Sequence, residues 1–241
     1  MIVQACLNGA RPAGFHPALP LSAEAMARDA AACVAAGAAE LHLHPRDADG
    51  RESLGAVDGT VRAVRAACPG TLVGVSTGAW IEGDERRTRE AIAAWRERPD
   101  HASVNLSEPD APAVMALLRS RGVGIEAGLA TLGDAERLVA LPDAERVLRV
   151  LVEVEEQDAG RARELALGIV AVLDRASLGR PILLHGFDAS VWTLAALAGE
   201  RRWSTRVGLE DTRHGPDGTV APDNAALVRF ASDLLRAPRP A

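Results

Sequence analysis

The sequence predicts an α/β fold, a single (β/α)₈ TIM barrel spanning residues 1–241. Three observations carry this. Short strand-like runs alternate eight times with Ala-, Leu- and Arg-rich amphipathic segments. The length of 241 residues suits such a barrel, usually ~250 residues long. The rival, an open doubly wound sheet, usually carries a glycine-rich phosphate loop after its first strand. Here that junction reads Asn8-Gly9-Ala10-Arg11-Pro12, without a GxGxxG pattern.

In order, strands are expected near Ile2–Leu7, Ala39–His44, Thr71–Ser76, Ala102–Leu106, Gly122–Ala127, Val147–Val152, Arg180–His185 and Thr205–Leu209. Helices are expected near Ser22–Ala36, Gly55–Ala67, Asp84–Arg96, Ala111–Arg119, Gly133–Val139, Gln157–Ala176, Ala189–Ala198 and Pro222–Leu235. Ser22 offers a cap to the first helix, and Pro222-Asp223-Asn224 opens the last. Gly37, Gly122 and Gly179 follow helices, where a left-handed residue is often needed. No linker, charge run or low-complexity segment divides the chain, and the tail over 236–241 is expected to fray.

Composition excludes several classes. The hydrophobic fraction of 48% is ample for a core, and the net charge of −6 makes nucleic acid and anionic membrane poor partners. No apolar run has transmembrane length. The N-terminus enters a strand-like segment with no basic stretch before it, so no signal peptide and a cytoplasmic location are expected. Cys6, Cys33 and Cys68 form neither a disulfide framework nor a CxxC site, which suits buried thiols in a reducing compartment.

The active site of such a barrel sits at the C-terminal ends of its strands. Polar residues cluster there: Asn8, His42 with His44 and Arg46, Ser76, Asn105, Glu126, Glu153, His185, and Glu210 with Asp211. Polar strand ends near solvent also occur without function. The His-x-His pair is more specific. Side chains two apart on a strand share a face, so His42 and His44 aim the same way. Barrel closure places strand 8 beside strand 1 and brings Glu210 within reach of both. Two imidazoles and a carboxylate with open positions suit Zn²⁺ as a Lewis acid, with Fe²⁺ or Mn²⁺ as alternatives. Period-two counting puts Arg206, Gly208 and Glu210 on one face, with Gly208 leaving room between the charges. An Arg206–Glu210 ion pair filling the barrel is the competing account of those two residues. Asp211 has opposite parity and is expected on the rim, as a general base held by Arg206. His185 reads as a structural histidine, Trp80 as a lid or core residue, and Arg86, Arg87 and Arg89 as a solvated helix face.

Three segments, His42-Leu43-His44-Pro45-Arg46-Asp47, Val75-Ser76-Thr77-Gly78 and Arg206-Val207-Gly208-Leu209-Glu210-Asp211-Thr212, resemble the β-keto acid cleavage enzyme family. The similarity extends to Asn224 and Leu227-Val228 after the last strand. The resemblance implies a zinc-bearing (β/α)₈ barrel that condenses a β-keto acid with acetyl-CoA, giving acetoacetate and a new acyl-CoA. It implies metal ligands His42, His44 and Glu210, a base Asp211 oriented by Arg206, and substrate contacts from Ser76 and, more loosely, Asn105. Glu126 is a further candidate substrate contact. In that scheme the metal binds the keto oxygen and carboxylate, and the carbanion attacks the thioester. A homo-oligomer is expected.

One departure bears on substrate. Where a lysine-fermentation member of the family has an acidic residue meeting the substrate's amino group, this chain has Arg11. A cation there favours an anionic or acceptor group on the substrate. Two other functions fit the same residues: a metal-dependent barrel lyase or hydrolase without CoA, and a non-catalytic small-molecule binding barrel.

Overall fold

The computed structural model describes residues 1–236. Of the expected frayed tail, Arg236 is the last residue of the final helix, and 237–241 lie outside the described residues. The strands are β1 (Val3–Cys6), β2 (Glu40–Leu43), β3 (Leu72–Ser76), β4 (His101–Asn105), β5 (Gly124–Leu129), β6 (Arg149–Val154), β7 (Ile182–Gly186) and β8 (Ser204–Val207). They pair in chain order into a closed parallel barrel, with β8 against β1. The helices are α1 (Ala23–Ala35), α2 (Val57–Ala67), α3 (Glu85–Ala94), α4 (Ala111–Ser120), α5 (Leu132–Val139), α6 (Ala159–Arg175), α7 (Val191–Arg201) and α8 (Asn224–Arg236). This is the predicted (β/α)₈ barrel.

Local chemistry sets the helix starts. The Ser22 hydroxyl accepts from the Ala25 amide at 3.2 Å to open α1, and Asp84 accepts from Arg87 at 2.8 Å to open α3. Thr131 and Asp134 form a reciprocal capping box on α5. Asp223 caps α8 through the Ala226 amide at 2.7 Å, beside the predicted Pro222-Asp223-Asn224 opening. Gly37 and Gly122 take the expected positive φ, +111° and +71°. The residue after α6 differs from expectation. That helix ends at Arg175, so the left-handed position falls on Ser177, at φ +57°, and not on Gly179.

Alternate strand residues such as Leu41, Leu43, Val73, Val75, Val150 and Val152 are fully buried and belong to the apolar core. The barrel also holds buried charge. Glu126 is completely buried and accepts from Gln4 Nε2 at 2.8 Å. Its carboxylate pairs with Arg149 at 3.1 Å, and Arg149 also pairs with Glu40. Isolated buried charge is costly, so these groups compensate one another. The seam between β8 and β1 is tight. A Cβ on Gly208 would sit 1.8 Å from the Cys6 carbonyl oxygen. Gly208 therefore admits the β1 backbone; it is not a spacer between Arg206 and Glu210. The three cysteines are buried and free. No helix among the described residues is long and apolar enough to cross a membrane.

Candidate active site

The strand ends open into a cavity of about 640 Å³ whose wall includes His42, His44, Ser76, Asn105, Arg11 and Glu210. His42 lies on β2 and His44 just past its end. Their Nε2 atoms face each other at 3.3 Å. Glu210 lies beyond β8, in a turn where the Asp211 and Thr212 amides donate to the Gly208 carbonyl at 2.9 and 3.0 Å. Strand parity therefore stops at Val207, yet the turn still carries Glu210 Oε1 to 3.5 Å from His44 Nε2. The ligand atoms of His42, His44 and Glu210 lie within 4.8 Å of one another. All three residues are buried, at 1%, 4% and 8% exposure.

Surrounding groups orient this cluster. Asn8 clamps the His44 backbone, donating to its carbonyl at 2.9 Å and accepting from its amide at 3.0 Å. His44 Nδ1 lies 2.5 Å from Glu52 Oε1, and Trp80 Nε1 donates to the other Glu52 oxygen at 3.1 Å. A carboxylate on the outer nitrogen leaves Nε2 for the cluster, the arrangement that orients many metal-bound histidines. Burial pulls the His44 pKa down, but Glu210 and Glu52 outweigh it and raise the group to about 9. Burial holds His42 well below its usual range, so it stays neutral. Burial also opposes the Glu210 anion, but Arg206 and then the two histidines outweigh it and hold its pKa far down.

The donor set fits a divalent cation. Two imidazoles and one carboxylate leave open coordination positions, and Glu210 Oε2 is buried without a hydrogen-bond partner. A second cluster, Glu40, His101 and Glu126, has ligand atoms equally close, but the Arg149 guanidinium already pairs with both of its carboxylates.

Arg206 pairs with Glu210 and lies farther, at 3.7 Å, from Asp211. Asp211 is not on the rim. It is fully buried, and its Oδ1 is 3.1 Å from His185 Nδ1 while Oδ2 has no partner. The strand has ended before Asp211, so the parity that predicted a rim position does not apply. Ser76, Asn105 and Arg11 line the cavity. Glu126 does not; it sits in the Gln4, His101 and Arg149 network inside the barrel. Arg11 donates from Nε to the Glu210 carbonyl at 2.9 Å and from Nη2 to the Asp211 carbonyl at 3.1 Å. Asp188 opposes its charge at 3.2 Å, and Glu153 and Glu155 also line the cavity, which is therefore not uniformly cationic. Trp80 lines the cavity at 52% exposure. Arg86 pairs with Glu90 along the exposed face of α3, and Arg89 reaches across to Asp110 at the start of α4.

Three residues at the site went unassigned by sequence reasoning. Glu52 lies in a loop, and its sequence carries no signal for it. Glu153 stood out only as a polar strand end, and His185 was expected to be a structural histidine. In the structure His185 lies between Asp211 and Glu153, with Nε2 3.3 Å from Glu153 Oε2. Burial and Arg206 pull its pKa down, but Asp211 and Glu153 outweigh them and leave it raised.

Fold and site together give a strand-end barrel pocket with three converging candidate metal donors and a buried carboxylate beside them. Residues 1–238 match the beta-keto acid cleavage enzyme family, and the chain belongs to that family. It is 35% identical to the 3-keto-5-aminohexanoate cleavage enzyme of Fusobacterium nucleatum subsp. nucleatum over 81 residues, which are 32% of this chain and 30% of that protein. Among solved structures, ObcA with oxaloacetate superposes with a TM-score of 0.73 at 20% identity, covering 90% of this chain and 63% of ObcA. The ternary complex of ObcA with a C4-CoA adduct and oxalate gives 0.74 at 20% identity, over 91% and 64%. The type I 3-dehydroquinate dehydratase of Clostridium difficile gives 0.67 at 12% identity, over 97% and 90%. At these identities the structural likeness is one of fold. The chain spans less than two thirds of ObcA, and its match to the Fusobacterium protein spans under a third of that protein.

Proposed function

We propose that this protein is a zinc-dependent β-keto acid cleavage enzyme. It condenses a β-keto acid with acetyl-CoA, and the products are acetoacetate and a new acyl-CoA. The observation that carries this reading is the convergence of His42, His44 and Glu210, their ligand atoms within 4.8 Å, immediately before the buried carboxylate of Asp211 in the chain. Family membership supports the reaction class. The ObcA complexes, with oxaloacetate and with a C4-CoA adduct, support a keto acid and CoA as the ligands of such a barrel.

His42, His44 and Glu210 would hold the zinc ion, which supplies Lewis-acid polarisation of a carbonyl when bound. The remaining chemistry falls to the chain's own residues. Asp211 takes a proton from the carbon between the ketone and the carboxylate. Its Oδ2, the oxygen without a partner, is the atom that accepts it. Arg206 lies against both Glu210 and Asp211 and offsets their adjacent negative charges. Ser76 and Asn105 offer a hydroxyl and an amide to substrate oxygens from the cavity wall. Atoms balance without an oxidant or reductant. The acetyl group leaves the CoA sulfur for the deprotonated carbon. The freed CoA thiolate then attacks the substrate's ketone carbon, the bond from that carbon to the deprotonated one breaks, and Asp211 returns its proton to the acetoacetate carbon.

The test is turnover of a panel of β-keto acids by zinc-loaded protein, with and without acetyl-CoA, followed by mass spectrometry. Acetoacetate and a new acyl-CoA should appear in equal amounts, and only when acetyl-CoA is present. Cleavage that proceeds unchanged without CoA would contradict the reading.

A further inference from the structure

The group closest to the proposed base is not Arg206. Arg206 is 3.7 Å from Asp211 Oδ1, and its Nη2 is committed to Glu210. His185 Nδ1 is nearer, at 3.1 Å. His185 is 1% exposed and cannot be exchanging this contact for water. Its ring is held from the other side as well, where Nε2 meets Glu153 Oε2 at 3.3 Å. Glu153 and His185 are register partners across β6 and β7, so the sheet itself sets this contact. Phe187 packs edge-on against the same ring, with centroids 4.9 Å apart. Both imidazole nitrogens thus face carboxylates, and rotation of the ring about its bond breaks both contacts.

A glycine makes the arrangement possible. A Cβ on Gly128, on β5, would lie 2.5 Å from Glu153 Oε1 and 2.9 Å from Asn105 Oδ1. The Glu153 carboxylate occupies the space that any side chain at 128 would fill. Its backbone is ordinary strand, so the glycine is there for room and not for an unusual φ.

We propose that His185 is a positioning residue for Asp211, locked in place by Glu153, with Gly128 reserving the space that Glu153 needs. This rests on the reading of Asp211 as the base. The contact to Oδ1 fixes the carboxylate's plane and leaves Oδ2 as the free oxygen. Glu153 lines the cavity and Asp211 does not, so the chain of three residues also ties the geometry of the buried base to the cavity wall.

The test compares His185→Phe, His185→Asn and Gly128→Ala in zinc-loaded enzyme. Misplacing a reacting group by an ångström can cost about 10²-fold in rate, and that is the fall in kcat expected for His185→Phe, with KM little changed. Asn carries an amide N–H that reaches the same side of Asp211, and His185→Asn should recover much of the loss. Gly128→Ala touches neither His185 nor Asp211. It puts a methyl group on the cavity wall against the flexible end of Glu153 and against Asn105, whose Oδ1 and Cα would lie 2.9 and 3.4 Å away, and it should lower kcat in the same sense by a smaller factor. An unchanged kcat in His185→Phe, or a loss confined to KM, would overturn the proposal. If His185→Phe does not fold, the NMR readout below decides in its place, because His185→Asn is expected to stay near the parent. A spectroscopic readout stands apart from turnover, and so separates failure here from failure of the proposed reaction. The His185 Nδ1 proton should give a slowly exchanging downfield NMR resonance that disappears in Asp211→Asn and shifts in Glu153→Gln. Its absence from the unaltered protein would overturn the proposal, whatever the activity.

Discussion

His44 is the better anchored of the two imidazoles, with Asn8 on its backbone and Glu52 on its outer nitrogen, while His42 Nδ1 is buried without a partner. Outer partners of ligating histidines typically contribute 10- to 100-fold in metal affinity, so Glu52→Gln should weaken zinc binding by roughly that factor. Competition against a chelator measures it, and an unchanged dissociation constant would exclude the role given to Glu52. Away from the site, Asp29 offers a pH-dependent test. Burial raises its pKa from 3.8 to about 6, against the opposing hydrogen bond from Asn224. The folded protein therefore keeps a proton that the unfolded chain has released. The resulting stability is fully present below the unfolded value and is lost as pH rises through about 6. Asp29→Asn keeps an acceptor for Asn224 without the charge. It should gain roughly 2 kcal/mol relative to the parent between pH 4 and pH 7.5, read by denaturant unfolding at both pH values. A difference that does not grow with pH would refute the assignment. The residues legible in the sequence were those whose spacing carried the signal, His42 with His44 and Glu210 with Asp211. Glu52 and the role of His185 were not legible. Their partners are brought to them by loop geometry and strand register, which no local pattern encodes.

Among the elements, the join of β8 to β1 is where the site is built. Asn224 at the start of α8 accepts from the Leu209 amide at 2.6 Å and donates to the Leu7 carbonyl at 2.8 Å and to Asp29 at 2.6 Å. It stitches the last turn, the first strand and α1 together. Asn224→Ala strands these buried groups and should cost about 3 kcal/mol. Gly208→Ala drives a methyl group into the Cys6 carbonyl and should cost about as much. Either loss shows in the midpoint of denaturant unfolding, and near-parent midpoints in both would contradict this account of the seam. All eight strands were legible from alternation and apolar runs. The turn after β8 was not, because period-two counting assumes that the strand continues. That assumption placed Asp211 on the rim and gave Gly208 the wrong neighbour, although His42, His44 and Glu210 still converge. Glu126 misled for a related reason. It lies early enough on β5, paired with Ser103 and Arg149, to face the barrel interior below the cavity.

At the scale of the molecule, barrel closure is what joins residues about 170 positions apart into one buried cluster before any ion arrives. A preformed site binds the folded state and not the unfolded chain, so zinc at 100 times its dissociation constant should add about 2.7 kcal/mol of stability. In a chain of this size that is a rise in Tm of roughly 5–10 °C, reversed by a chelator. The most direct test of the cluster itself is the metal content of purified protein equilibrated with zinc and desalted. The parent should hold one equivalent. His42→Ala, His44→Ala and Glu210→Ala should each hold a small fraction of that, with circular dichroism unchanged. Full zinc stoichiometry in all three variants, or none in the parent, would contradict the account.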